Sequence, residues 1–194
     1  EEQQFVLPEN STLVWPPSYG DGAFALSRDG DLWTYEYDYD EDSKPARPEQ
    51  VDVPWPVTEV LTAGGAALVA GQPRSGETPL AIVYTYDERT REFTLPGRIR
   101  EFSYPVFILD DGSTTVATSL DDDEMEAAPL TLPGKAKDVT GTSYGFMVLL
   151  EDGSVYAPSD LSDWDGTDAP KMSKLNLPTK ATAVAGGLIQ LSDG

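Results

Sequence analysis

Five short segments of this chain are apolar at almost every position: Ala23-Phe24-Ala25-Leu26, Ala66-Ala67-Leu68-Val69, Val106-Phe107-Ile108-Leu109, Phe146-Met147-Val148-Leu149-Leu150 and Leu188-Ile189-Gln190-Leu191. Each is too short for a helix and too continuous for a half-exposed strand. Each therefore reads as a strand covered on both faces. A segment alternating polar and apolar residues precedes every one: Thr12–Trp15, Val57–Leu61, Arg98–Phe102, Ala136–Val139 and Ala181–Val184. Period-two alternation marks a half-buried strand. Asp-Gly follows four of the five apolar runs, at Asp29-Gly30, Asp111-Gly112, Asp152-Gly153 and Asp193-Gly194. That dipeptide supplies the positive φ angles of a tight two-residue hairpin turn. Third strands then follow at Leu32–Tyr35, Thr114–Ala117 and Ser154–Ala157. In the second unit Gly71–Pro79 replaces Asp-Gly, which predicts a protruding loop before a third strand at Leu80–Tyr86.

A polar loop leads to a fourth, outer strand expected to end at Leu-Pro, where an edge strand tolerates a residue without a backbone donor. The dipeptide recurs at Leu7-Pro8, Leu95-Pro96, Leu132-Pro133 and Leu177-Pro178, with Val53-Pro54 in the equivalent place, and the five prolines lie 46, 42, 37 and 45 residues apart. A period near forty built from strands indicates a β-propeller or a related β array. The expected fold is all-β: a propeller of four-stranded antiparallel blades, in about five blade units within one domain, 1–194. The units are approximately 9–54, 55–96, 97–133, 134–178 and 179–194 plus 1–8. Gln4–Pro8 matches the fourth strands Arg91–Pro96 and Lys174–Pro178, so the N-terminal strand is expected to close the last blade. A third strand is still missing there, so the chain is expected to continue beyond Gly194 as part of a longer protein.

The Leu-Pro lead-in, the Val-x-x-Val-x-x-Gly-Gly bend and the Asp-Gly-x-Val-Tyr hairpin together resemble the regulator-of-chromosome-condensation repeat family. The best matches are Leu132–Tyr156 and Leu177–Gly194. The resemblance covers most of the chain and implies a β-propeller acting through protein contacts. The histidine that often follows the glycine bend in those repeats is absent, as is the glycine-rich segment after the third strand.

Charge narrows the function. Thirteen basic against 34 acidic residues give a net charge of −21. Such a surface repels nucleic acid and anionic lipid and favours basic protein partners or cations. No apolar run is long enough to span a membrane. The absence of His and Cys removes Ser-His-Asp and Cys-His catalysis, His-ligated zinc, disulfides and thiolate metal sites. Carboxylate-pair glycoside hydrolysis remains chemically open. The acidic, Cys-free composition with a start lacking Met suggests a secreted or cell-surface protein of a Gram-positive bacterium.

The sharpest local feature is Trp33-Thr34-Tyr35-Glu36-Tyr37-Asp38-Tyr39-Asp40. Alternation puts the aromatic rings on one face and the polar groups on the other. Trp33 and Tyr35 fit blade packing, since Tyr156 occupies a matching position in another unit. Tyr37, Asp38, Tyr39 and Asp40 extend past the strand into a loop, where rings contribute contact area and carboxylates orient a basic partner. Asp163, Trp164 and Asp165 form a second acidic, aromatic turn. Asp38–Asp42, Asp121–Glu124 and Asp163–Asp168 are calcium candidates by composition, yet none has the glycine and terminal Glu of a calcium loop. They read as solvated loop tips, and no cofactor is expected. The expected role is non-catalytic protein recognition through acidic and aromatic loops on a propeller rim. The alternatives are a carbohydrate-active propeller, lectin or glycosidase, and a purely structural repeat domain.

Overall fold

The computed structural model describes residues 6–14, 22–36, 48–63, 66–84, 90–119, 124–142, 145–159 and 166–193. All regular structure among them is strand. The first sheet contains β1 (Ser11–Val14), β2 (Gly22–Ser27), β3 (Leu32–Glu36) and β4 (Glu49–Gln50). The second contains β5 (Val57–Ala63), β6 (Ala66–Gly71), β7 (Thr78–Tyr84) and β8 (Thr90–Leu95). The third contains β9 (Ile99–Ser103), β10 (Val106–Leu109), β11 (Thr114–Ser119) and β12 (Met125–Pro129). The fourth contains β13 (Ala136–Thr142), β14 (Gly145–Leu150), β15 (Val155–Pro158) and β16 (Met172–Lys174). A fifth, two-stranded sheet pairs β17 (Ala181–Ala185) with β18 (Leu188–Leu191). Strand order follows chain order in all five, and neighbouring strands run antiparallel. These are blades of the β-propeller type, as the period-two and continuous apolar patterns predict.

The chain divides into two compact units, residues 1–93 and 94–194. In the first, Phe24 and Leu32 of the first sheet pack against Val57, Ala67, Val69, Ala81 and Val83 of the second. In the second, β14 serves two interfaces. Phe146, Val148 and Leu150 face Val106, Ile108 and Val116 of the third sheet, while Met147 and Leu149 face Ala181 and Val184 of the fifth. This is why the apolar run of β14 has no polar break: alternate residues enter two cores. Burying each large side chain there contributes about 1.5–3 kcal/mol.

The turns differ from the expected type. At Gly112 the amide donates to the Leu109 carbonyl (2.9 Å) and the Leu109 amide donates to the Ser113 carbonyl (2.9 Å). Leu150/Gly153/Ser154 and Ser27/Gly30/Asp31 repeat both bonds. These are three-residue hairpin loops, a tight turn closed by a left-handed glycine, rather than two-residue loops. Only the glycine takes positive φ (93°, 83° and 83° at Gly30, Gly112 and Gly153). The preceding Asp braces the turn through its side chain. Asp111 accepts from the Ser113 amide (2.8 Å) and hydroxyl (2.6 Å), and Asp152 does the same for Ser154. The two-residue turn occurs instead in the second sheet, where Arg74 and Glu77 exchange backbone bonds around Ser75 (φ 54°) and Gly76 (φ 88°). The exposed 74–77 segment extends that hairpin, in line with a protruding connection.

Leu-Pro also sits elsewhere than expected. Only β8 reaches its Leu-Pro; β4, β12 and β16 end before theirs. Val53, Leu132 and Leu177 belong to the linkers entering the next sheet, and each packs into the core between two sheets. The dipeptide is therefore an anchored linker: the aliphatic residue inserts, and proline ends the strand pairing. Residues 6–8 form no strand; the Val6 carbonyl accepts a bond from the Tyr35 hydroxyl (2.8 Å). Gln4 and Phe5 lie outside the described residues.

Candidate functional site

The linker and the hairpin glycine form one recurring joint. The Gly30 carbonyl accepts from the Val57 amide (2.9 Å), Gly112 from Ala136 (3.1 Å) and Gly153 from Ala181 (2.8 Å). In each case the turn of one sheet latches onto the first residue of the next. The contact is close: a Cβ on Gly30 would lie 2.6 Å from the Pro56 Cβ, and one on Gly153 would lie 2.9 Å from the Lys180 Cβ. A second backbone bond holds the start of each linker, from Val51 to Leu32 (2.9 Å), from Leu130 to Thr114 (2.9 Å) and from Leu175 to Val155 (2.8 Å).

Between these two fixed points the linker bows away from the hairpin and leaves a cleft. One, of about 500 Å³, lies in the first unit beside Asp29–Leu32 and Gln50–Pro56. Another, of about 580 Å³, lies in the second beside Asp152–Val155 and Lys174–Lys180. The two are equivalent position by position, because the same backbone bonds bracket them. Their chemistry differs. In the first, Asp29, Asp31 and Asp52 line the cleft with Gln50 and Trp55, and among the described residues no Lys or Arg contributes. The Gln50 side-chain amide donates to Asp31 (3.4 Å). Trp55 is half-buried against the core, its ring so close to Gly71 that a Cβ there would lie 2.5 Å away. In the second, Ser154 replaces Asp31, Asn176 replaces Asp52, Thr179 replaces Trp55, and Lys174 and Lys180 stand at the places of Gln50 and Pro56.

Over the described lining residues, formal charge thus runs from −3 in one cleft to +1 in its counterpart. Hydrogen bonds from the Ser154 hydroxyl and amide hold the Asp152 carboxyl below its ordinary value, with Lys174 and Lys180 adding a smaller pull. Asp111 is lowered in the same way by Ser113, with Lys135 helping. The backbone frame is shared by these two clefts while their side-chain chemistry differs.

The loop residues singled out from sequence, Tyr37, Asp38, Tyr39, Asp40, Asp163, Trp164 and Asp165, lie outside the described residues, as do Asp121–Asp123. Among the described residues no group of three or more acidic side chains is disposed to hold a metal ion. Sequence reasoning misses the clefts. Their signal is Asp-Gly recurring at a fixed place ahead of the linker, which reads as turn chemistry until the latch is seen.

The sheets define the class, an all-β array of propeller-type antiparallel blades. No family model and no curated protein matches the chain. Among solved structures it is similar to human WBSCR16, at 12% identity over 95% of this chain and 58% of that one, with a TM-score of 0.48. It is also similar to Prp20p from Saccharomyces cerevisiae, a protein described with its binding to Gsp1p and histones, at 13% identity, 86% and 52% coverage and a TM-score of 0.46. The chain spans about half the length of these two structures.

Proposed function

We propose that the chain is a non-catalytic protein-recognition module of a secreted or cell-surface protein, and that it binds a basic partner through the acidic cleft of its first sheet. The observation that supports this most is the contrast between equivalent clefts. One frame carries three carboxylates beside a half-buried Trp in one sheet, and a mixed Lys/Asp set in another. Ser154 and Asn176 hold the same backbone positions in the other cleft, so the shared frame does not itself require Asp31 and Asp52. Carboxylates steer a cationic segment and fix its orientation, and an indole face adds contact area and attraction for Lys or Arg. The net charge of −21 extends the steering field beyond the cleft. The sequence supplies no His or Cys for catalysis.

The test is binding of a Lys/Arg-rich peptide to the wild type and to the combined variant Asp29→Asn/Asp31→Asn/Asp52→Asn, by calorimetry at low and moderate salt. Loss of the charge set should weaken binding about tenfold or more and flatten its salt dependence. Equal affinity for both proteins, with equal salt dependence, would sink the reading.

A further inference from the structure

Two cations of the second unit serve the fold: the Arg100 side chain donates to the Ala136 carbonyl, and Lys137 to the Thr182 carbonyl (2.9 Å). Lys174 and Lys180 do not. Both are exposed, and among the described residues neither ammonium has a hydrogen-bond or ion-pair partner. They stand at the two ends of the linker that borders the fourth sheet's cleft, Lys174 closing β16 and Lys180 preceding β17. The matching linkers carry Gln50 and Pro56 after the first sheet and Pro129 and Lys135 after the third. Of these three linkers, only that of the fourth sheet has a cation at each end. Asp152 does not engage them directly. Its carboxyl accepts both the amide and the hydroxyl of Ser154 (2.8 and 2.5 Å), and the lysines act on it as charges rather than as bonded partners. Between the lysines, Leu175 and Leu177 are partly buried against the core shared with the fifth sheet, while Asn176 is exposed.

The cleft opens at the fully described end of its sheet. Segments 143–144 and 160–165, outside the described residues, connect β13 to β14 beyond Thr142 and β15 to β16 beyond Pro158, at the opposite end. The fifth sheet's turn meets the linker as the fourth sheet's turn meets its predecessor: Ser192 donates to the Lys180 carbonyl (2.8 Å) as Glu151 does to that of Lys135 (3.0 Å). At that earlier place the chain passes the turn and runs back along β14 as β15, away from the linker.

We propose that the fourth sheet's cleft is a second binding site, which takes an extended acidic peptide segment presenting an apolar side chain between two carboxylates. Alternate residues of an extended segment share a face. A guest with acids at its first and fifth positions and an apolar residue at its third can therefore meet Lys174, the exposed parts of Leu175 and Leu177, and Lys180 together. The Asn176 amide can both donate to and accept from the guest backbone. The cleft of about 580 Å³ is large enough for a short peptide segment. The net charge of −21 opposes an acidic guest at long range, so recognition depends on these two short-range pairs. At about 0.15 M salt, charges beyond about 8 Å are largely screened and the lysines dominate. This site takes the charge opposite to that of the first sheet's cleft and stands independently of it.

The probe is acetyl-Glu-Ser-Leu-Ser-Glu-amide, titrated into the isotope-labelled full chain at about 0.15 M salt and followed by amide NMR. Saturable one-to-one shifts are expected in the segments 152–155 and 174–180. Lys174→Gln/Lys180→Gln should weaken binding about fivefold or more, as two exposed ion pairs would, and so should Gln in place of both Glu residues of the peptide. Lys135→Gln is the control, since that lysine holds the same joint position in the third sheet without a companion; it should leave the affinity unchanged. Asp29→Asn/Asp31→Asn/Asp52→Asn should also leave it unchanged, which separates this site from the acidic cleft. Absence of saturable binding, shifts centred elsewhere, indifference to Lys174→Gln/Lys180→Gln, or an equal loss from Lys135→Gln would each overturn the proposal.

Discussion

Gly153→Ala tests the latch with a single methyl group. Two costs apply. At φ of +83° an L-residue is strained by about 1–2 kcal/mol. The new Cβ would also lie 2.9 Å from the Lys180 Cβ, at the end of the linker, and 3.0 Å from the carbonyl oxygen of Ala181, the first residue of β17. Neither neighbour can retreat freely, because the Ala181 amide is bonded to the Gly153 carbonyl at 2.8 Å. Overpacking against fixed backbone typically costs about 1–3 kcal/mol, so the expected total is about 3 kcal/mol. Gly166→Ala is the internal control: its φ is +84° but no described residue lies within 4 Å of the added Cβ. It carries only the conformational strain, about 1–2 kcal/mol. Urea unfolding of both variants, in the same unit of the chain, measures the difference. Gly153→Ala should lose clearly more stability than Gly166→Ala at unchanged m-value. Equal losses would refute the claim that the hairpin glycine is required by the neighbouring sheet as well as by its own turn.

Variants at three further places give definite outcomes. Asp152→Asn and Asp111→Asn should lower the urea midpoint at neutral pH. The folded carboxyls titrate below the ordinary value near 3.8, so their contribution is present above that value and lost as pH falls through the folded one. The gap to wild type should therefore close in strong acid; a gap that persists there would contradict the Ser-bonded carboxylate. Burial raises the Tyr35 hydroxyl above its ordinary value near 10.0, so stability should fall as pH rises past that point, and Tyr35→Phe should abolish this alkaline loss. At neutral pH the same variant should cost about 1 kcal/mol for the lost bond to the Val6 carbonyl, measured by thermal unfolding. Leu177→Ala should destabilise the second unit by about 1–2 kcal/mol, because Leu177 is a partly buried linker anchor; an unchanged urea midpoint would show that the linker is not held by its side chain.

Strand identity is legible because two-sided burial leaves a signature that survives single substitutions. All five apolar runs form second strands, and the alternating segments before them form first strands. Gln190, the one polar residue in the fifth run, is exposed and lies in the sheet that has two strands among the described residues. Boundaries that depend on tertiary contact are not legible in the same way. Leu132 and Leu177 look like strand ends because they are apolar and precede proline, yet they are buried by inserting between sheets after pairing has stopped. Asp-Gly marks the place of each turn but not its length, since the sequence does not show that Asp111 and Asp152 bond Ser113 and Ser154 instead of adopting positive φ. The clefts need three dimensions. Asp31 and Asp52 are far apart in sequence and share a cleft because two backbone bonds, Val51 to Leu32 and Val57 to Gly30, bracket the linker between them.

The proposed recognition at the clefts depends on the backbone bonds by which Gly30, Gly112 and Gly153 hold the following sheets. Scalar coupling across hydrogen bonds, measured by NMR on isotope-labelled protein, detects such a bond between named atoms. Couplings are expected from the amides of Val57, Ala136 and Ala181 to the carbonyls of Gly30, Gly112 and Gly153. Couplings within the sheets but none at these three pairs would show independent blades, and would contradict the joint that forms the clefts.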